Sequence, residues 1–306
     1  MSQPVRIATR GSNLALWQAR YVKTQIEQTS PGTIVELVTV ISTGDAVRDR
    51  PLYELGGVGL FTKEVQDALL DGRADVAVHS LKDLPTVSHP ELRLAAVPER
   101  GPVADVFISP KHRTIAHLPP GARIATSSLR RRAQLLRHRP DLCVESIRGN
   151  VETRIRKLHE EGLDGLILAQ AGVHRLGLDS EVTEYIPLDY LLPAVGQGAL
   201  GIECRQRDDA VYSILERLNH PATRCQVEAE RSFLRTIQGG CQLPVGTLTS
   251  MEDDRLTLRA VVLSPDGAEH VDGTESGSAS DALIIGQQLA ERLLSEGASN
   301  LLGSTM

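Results

Sequence analysis

Two segments of this sequence carry residues that can do chemistry together. In TIQGGCQLPVG, Cys241 follows Gly239 and Gly240, whose bare backbone admits a bulky group at close range, and precedes Pro244 and Gly246, which shape a loop. A thiol presented in this way reads as an attachment point. In ATSSLRRR, residues 125 to 132, consecutive arginines follow a run of hydroxyls. Guanidinium forks grip carboxylate and phosphate groups in bidentate fashion, so the attached or bound group is expected to be anionic.

Thr126, Ser127 and Ser128 fall between an expected strand and an expected helix, where free backbone amides and the helix dipole favour an anion. Arg130 and Arg131 lie in that helix's first turn, the unfavourable end for a cation. Either acidic neighbours or solvent answer their charge, or a ligand does. IRGNVETR repeats the arrangement after the next strand with Arg148 and Arg154.

VHSLKDLP closes another strand with Ser80, Lys82 and Asp83. Asp83 before Leu-Pro either stabilises a turn or, since ligands sit at strand C-termini in open α/β sheets, serves as the catalytic carboxylate. GGVGLF, residues 56 to 61, lacks the spacing of a nucleotide loop and reads as a mobile loop. PAVGQGALGIECR is a glycine-bearing turn expected to carry the chain back to its first domain, with Gln197 within reach of a cleft.

Composition narrows the function classes. A net charge of −6 argues against a general nucleic-acid binder, and the local arginine density inside an acidic chain favours a small polyanionic ligand. No apolar run reaches the ~18 residues of a membrane span, and the polar N-terminal residues lack a signal-peptide core, so a cytoplasmic location is expected. The four cysteines show no CxxC pairing, and a buried structural role is expected for Cys143, Cys204 and Cys225. The nine histidines form no ligand pair, so no metal site is expected.

Positioning these groups requires alternating strands and helices. Strands are expected at 5–9, 35–40, 74–80, 105–109, 122–126, 143–147 and 164–169. Helices are expected from Leu14, with Leu14, Trp17, Tyr21 and Val22 on one face and Ser12 or Asn13 as the cap, from Lys63 to Leu70, from Ser128 to His138 and from Val151 to Glu160. Alternation of this kind implies α/β domains with parallel crossovers. From about Pro221 the order changes to a helix over 222–237, the Cys241 loop, strands at 255–263 and 269–273, a polar loop at 275–280 and a helix over 281–294, which fits a small α+β domain.

IATRGSNLALWQA, VHSLKDLP, ATSSLRRR, IRGNVETR, LPAVGQGALGIECR and GGCQLPVG, in this order and across nearly the whole chain, resemble the porphobilinogen deaminase (hydroxymethylbilane synthase) family. The resemblance implies a transferase that joins four porphobilinogen units head to tail with loss of ammonia and releases hydroxymethylbilane. It implies a dipyrromethane primer held by a thioether to Cys241, with Asp83 as the catalytic carboxylate. It also assigns cofactor and substrate contacts to Arg10, Ser12, Ser80, Lys82, Thr126, Ser127, Ser128, Arg130, Arg131, Arg148, Arg154 and Arg175. Each pyrrole carries an acetate and a propionate, so the arginine cluster acquires a cause.

The family's fold implies two α/β domains of the periplasmic-binding-protein type with a cleft between them and a smaller C-terminal α+β domain. Here the expected boundaries are 1–101 with a return segment at 197–220, then 102–196, then 221–306, with crossings near Glu99 and Leu192. A monomer without nucleic-acid or membrane partners is expected. Many family members carry lysine where this chain has Val58, and Phe61 is a candidate lid over the cleft. The rival reading is a non-enzymatic two-domain binding protein, which explains the arginines but gives Cys241 no task.

Overall fold

The computed structural model describes residues 4–41, 62–238 and 243–303. The chain separates into two compact units, residues 1–101 with 198–224 and residues 102–197 with 225–306. Cys241, expected to be the attachment residue, and Val58 and Phe61 of the glycine-bearing loop lie outside the described residues.

The first unit is built on β1 (Val5–Arg10), α1 (Asn13–Thr29), β2 (Val35–Val40), α2 (Lys63–Leu70), β3 (Val76–Ser80) and β4 (Leu92–Ala96). It is completed by β10 (Leu200–Arg205) and α6 (Asp209–Leu215). β1 pairs in parallel with β2 and β3, and β10 runs antiparallel to both β3 and β4, giving the order β2-β1-β3-β10-β4. The turn expected at PAVGQGALGIECR thus ends in an interior strand. Its apolar residues Leu200 and Ile202 enter the core with Ile7, Val22, Ile26, Val76 and Val78.

Within α1 the packed face differs from the expected one. Val22 is buried with Gln18, Ala19 and Ile26, whereas Trp17 is 36% exposed and stacks on Tyr21 with ring centroids 5.5 Å apart. Gln18 takes the inward place because its amide finds a partner there, as described below, so burial leaves no unpaired donor.

The second unit contains β5 (Asp105–Ile108), β6 (Arg123–Ala125), α3 (Leu129–His138), β7 (Cys143–Glu145), α4 (Val151–Glu160), β8 (Gly165–Ala169), α5 (Gln170–Arg175) and β9 (Glu184–Tyr185). Its sheet order is β7-β6-β8-β5-β9, with β5 antiparallel to β8 and β9. The two sheets therefore share one plan: three parallel strands, an antiparallel strand that follows a crossing of the chain, and an edge strand. This is the α/β class expected, with mixed rather than purely parallel sheets.

The C-terminal part of this unit holds α7 (Pro221–Thr236, which begins at the end of the first unit), β11 (Val245–Glu252), β12 (Arg255–Leu263), β13 (His270–Ser278) and α8 (Ala282–Leu293). Its three strands form an antiparallel meander whose inner face packs Leu256, Leu258 and Ala260 against Phe233, Leu289 and Leu293. The polar loop expected at 275–280 is for the most part strand: β13 pairs with β12 from His270 to Ser278. A ladder needs only backbone groups, and Thr257 and Ser276 add a cross-strand hydroxyl contact at 2.9 Å. Cys143, expected buried, is exposed on the edge strand β7, while Cys204 is buried and Cys225 intermediate.

Candidate active site

In the first unit, the C-terminal ends of β1 and β3 open onto a pocket lined by Arg10, Ser12, Gln18, His79, Ser80 and Asp83, among others. Ser12 sits there because it caps α1: its backbone is extended and its hydroxyl accepts from the Ala15 amide at 3.4 Å. Asp83 ends the single helical turn Leu81–Asp83 that follows β3, with Lys82 beside it in sequence and both partly exposed. Leu81 and Leu84 are buried on either side and fix the turn. The structure thus brings four of the expected residues, Arg10, Ser12, Ser80 and Asp83, to one pocket.

Sequence reasoning missed two features of this pocket. The Gln18 amide donates to Ser80 Oγ at 2.8 Å. An oxygen that accepts this bond keeps its own proton to donate, so Ser80 can offer an O–H to an anion. Behind the pocket, His79 Nε2 lies 3.1 Å from Glu203 Oε2, with both side chains almost fully buried, and Gln66 donates to the same oxygen at 2.9 Å. An adjacent polar side chain inside a helical apolar pattern, as at Gln18, was the available signal.

In the second unit, Arg130 and Arg131 are 3% and 6% exposed, and both meet Asp105, which is fully buried. Asp105 Oδ2 accepts from Arg130 Nη2 at 2.8 Å, and Oδ1 accepts from Arg131 Nη2 at 2.8 Å and Nε at 3.1 Å. Arg130 also donates to the Leu192 carbonyl and Arg131 to the Ile167 carbonyl. Burial raises the Asp105 pKa, but the two guanidinium charges and their hydrogen bonds outweigh it and hold the group at about 2. Burial pushes Arg130 below its ordinary value against the opposing pull of Asp105.

The charge that the sequence left open between a neighbour and a ligand is therefore met by a neighbour, seen only in the fold. It is met in part: one carboxylate faces two guanidinium groups, and Arg130 Nε is buried with no hydrogen-bond partner among the described residues. Gln197, expected to reach a cleft, is fully buried. Its amide donates to the Val103 carbonyl at 2.7 Å and to Asp105 Oδ1 at 2.9 Å.

The hydroxyls before these arginines shape the strand end. Ser127 donates to the Ile147 carbonyl, Ser128 caps α3 by accepting from the Arg131 amide at 3.4 Å, and Thr126 accepts from the Ser128 amide at 3.3 Å. After β7, Gly149 adopts φ +119°, a Cβ there would approach Thr153 Cγ2 to 2.6 Å, and Asn150 caps α4. Arg154 donates back to the Gly149 carbonyl at 2.7 Å. Ser127 and Arg148 thus stand at neighbouring strand ends of one sheet, both partly exposed, and Arg175 ends α5, which follows the adjacent β8.

Comparison with known proteins places these residues in a family. The family model described as porphobilinogen deaminase, dipyromethane cofactor binding domain, matches residues 5–213, and the porphobilinogen deaminase C-terminal domain matches residues 224–295. The porphobilinogen deaminase of Syntrophotalea carbinolica is 47% identical over 99% of this chain and 96% of its own. That of Geobacter sulfurreducens is 50% identical over 97% of this chain and 93% of its own. Among solved structures, the VFT2 domain of Bordetella pertussis BvgS gives a TM-score of 0.43 at 13% identity, covering 74% of this chain and 91% of that one. The methionine-binding protein MetQ gives 0.44 at 13%, covering 70% and 89%, and neither likeness bears on function. The two family models together span both units, and on them and the near full-length identity this chain belongs to the porphobilinogen deaminase family.

Proposed function

We propose that this chain is a hydroxymethylbilane synthase: it condenses four porphobilinogen molecules head to tail, with loss of ammonia, into linear hydroxymethylbilane. The single observation that carries this is the near full-length relationship to curated porphobilinogen deaminases at 47 to 50% identity. The cofactor is dipyrromethane, whose binding domain is the matched family model. When bound, it supplies the terminal pyrrole carbon onto which the product is built.

The residues fit such a group. Two rings bearing acetates and propionates need a site of positive potential, and the Arg130–Arg131 pair retains one charge beyond what Asp105 neutralises. Thr126, Ser127, Ser128, Arg148 and Arg154 stand at neighbouring strand ends and helix starts of the same sheet, and Arg175 ends the helix after β8. We assign them to the cofactor and substrate carboxylates, and we assign the thioether to Cys241. In the first unit, Arg10, Ser12, Ser80 and Lys82 orient the incoming porphobilinogen. Asp83 stabilises the cation left when ammonia departs and steers protons near the pyrrole nitrogens.

Gln197 acts behind Asp105 in this reading, and we assign the lid role to Phe61. The chain is divided into three domains at 1–101 with 197–220, 102–196 and 221–306, and works as a cytoplasmic monomer without nucleic-acid or membrane partners. Among the described residues no helix is long and apolar enough to cross a membrane. The binding-protein alternative still gives Cys241 no task. Intact mass tests the choice: protein with an excess equal to two linked pyrrole units, absent from Cys241→Ser, is expected. An unmodified mass after incubation with porphobilinogen or hydroxymethylbilane overturns the reading.

A further inference from the structure

One fully buried carboxylate of the second unit, Glu230 on α7, has no part in the site described above. Its two oxygens go to different places. Oε1 accepts from the Thr249 hydroxyl on β11 at 2.7 Å, and Oε2 accepts from the Gly196 amide at 2.7 Å. Because α7 ends at Thr236 and β11 begins at Val245, the first bond joins the two elements that lead into and out of the segment bearing Cys241. The second holds the turn whose next residue, Gln197, reaches Asp105 and through it Arg130 and Arg131. A backbone bond runs alongside, from the Thr247 amide of β11 to the Pro193 carbonyl at 2.8 Å.

We propose that Glu230 is a positioning residue: by bonding Thr249 with one oxygen and Gly196 with the other, it sets the base of the Cys241 connection against the turn that anchors the arginine pair. The proposal rests on the reading of Cys241 as the attachment residue and of the arginines as carboxylate holders. Thioether formation from hydroxymethylbilane joins Cys241 Sγ to the hydroxymethyl carbon as the C–O bond breaks and the hydroxyl leaves as water with the thiol proton, so the thiol and the carboxylate-binding groups must engage one molecule together. A hydrogen-bonded carboxylate bridging the two parts fixes their separation to a few tenths of an ångström, and a misplacement of about 1 Å costs up to roughly 100-fold in rate. A role confined to holding α7 on β11 would change stability and leave attachment at its usual rate.

The test uses the full-length protein prepared without cofactor and mixed with hydroxymethylbilane, with attachment followed by intact mass. Thr249→Val removes the hydroxyl while keeping the shape, Thr249→Ser keeps the hydroxyl, and Glu230→Ala removes both bonds. Alkylation of Cys241 by iodoacetamide, read by peptide mass, reports access to the thiol. Thr249→Val is expected to attach the cofactor about tenfold more slowly with unchanged alkylation, Thr249→Ser at the parent rate, and Glu230→Ala at least as slowly as Thr249→Val. Parent-rate attachment in Thr249→Val, equal slowing in Thr249→Ser, or alkylation that falls in step with attachment overturns the proposal. If the parent protein alkylates at Cys241 yet gains no cofactor mass, the reading of Cys241 falls instead, and the proposal with it.

Discussion

Asp105 and Arg131 form a forked pair inside the second unit, with Oδ1 accepting from both Nε and Nη2 while Arg130 takes the other oxygen. Three side chains from β5 and the first turn of α3 thereby share one buried charge balance. Removing the carboxylate leaves two guanidinium groups in a dry environment. Asp105→Asn is expected to destabilise the protein by about 3–5 kcal/mol, measured by urea unfolding at pH 7.

The same group sets a pH signature. Its pKa in the folded state, about 2, lies below the ordinary 3.8, so its contribution is fully present above about pH 4 and is lost as pH falls towards 2. That difference corresponds to about 2 kcal/mol. The stability gap between the parent protein and Asp105→Asn should therefore narrow between pH 4 and pH 2. A gap that is constant across this range would show that Asp105 does not titrate in the pair.

Asp83 shares its pocket with Arg10, Ser12 and Ser80 and ends the helical turn after β3, partly exposed. Asp83→Asn is expected to fold normally, keep the mass of the bound cofactor and lose at least about 100-fold in turnover. Steady-state formation of hydroxymethylbilane together with intact mass checks this. Near-parent turnover would remove Asp83 from the mechanism.

Gly149 carries the backbone at φ +119° between β7 and the cap of α4, and its missing Cβ leaves room for Thr153. Gly149→Ala is expected to cost about 1–3 kcal/mol through backbone strain and the Thr153 contact together. Adding Thr153→Ser removes the methyl group and should recover only part of the loss, because the strain remains. Thermal melts of the two variants separate the terms.

The periodicity of local segments determined much of this protein. Strand β2 and helices α2 and α4 occupy the expected ranges, and β1, α3 and α7 differ from theirs by a residue or a few. The cap of α1 at Ser12 is legible because the bond it makes closes within three residues, whereas the caps at Ser128 and Asn150 emerge only in the structure. The residue types of Ser80 and Asp83 at a strand end also suggested a site, the family resemblance added Arg10 and Ser12, and the four line one pocket.

Tertiary structure decided what depends on partners distant along the chain. Asp105 stands 25 residues from Arg130, 26 from Arg131 and 92 from Gln197, and no local pattern announces that one carboxylate serves all three. Glu230 joins Gly196 and Thr249 in the same way. β10 reads as a turn because its glycines and Gln197 dominate the segment, and it becomes an interior strand only when β3 and β4 supply ladders on both sides. Trp17, expected on the packed face, stays partly exposed and Gln18 turns inward because Ser80 at the end of β3 offers it a hydrogen bond, and burial of a polar group follows its partner rather than its hydropathy.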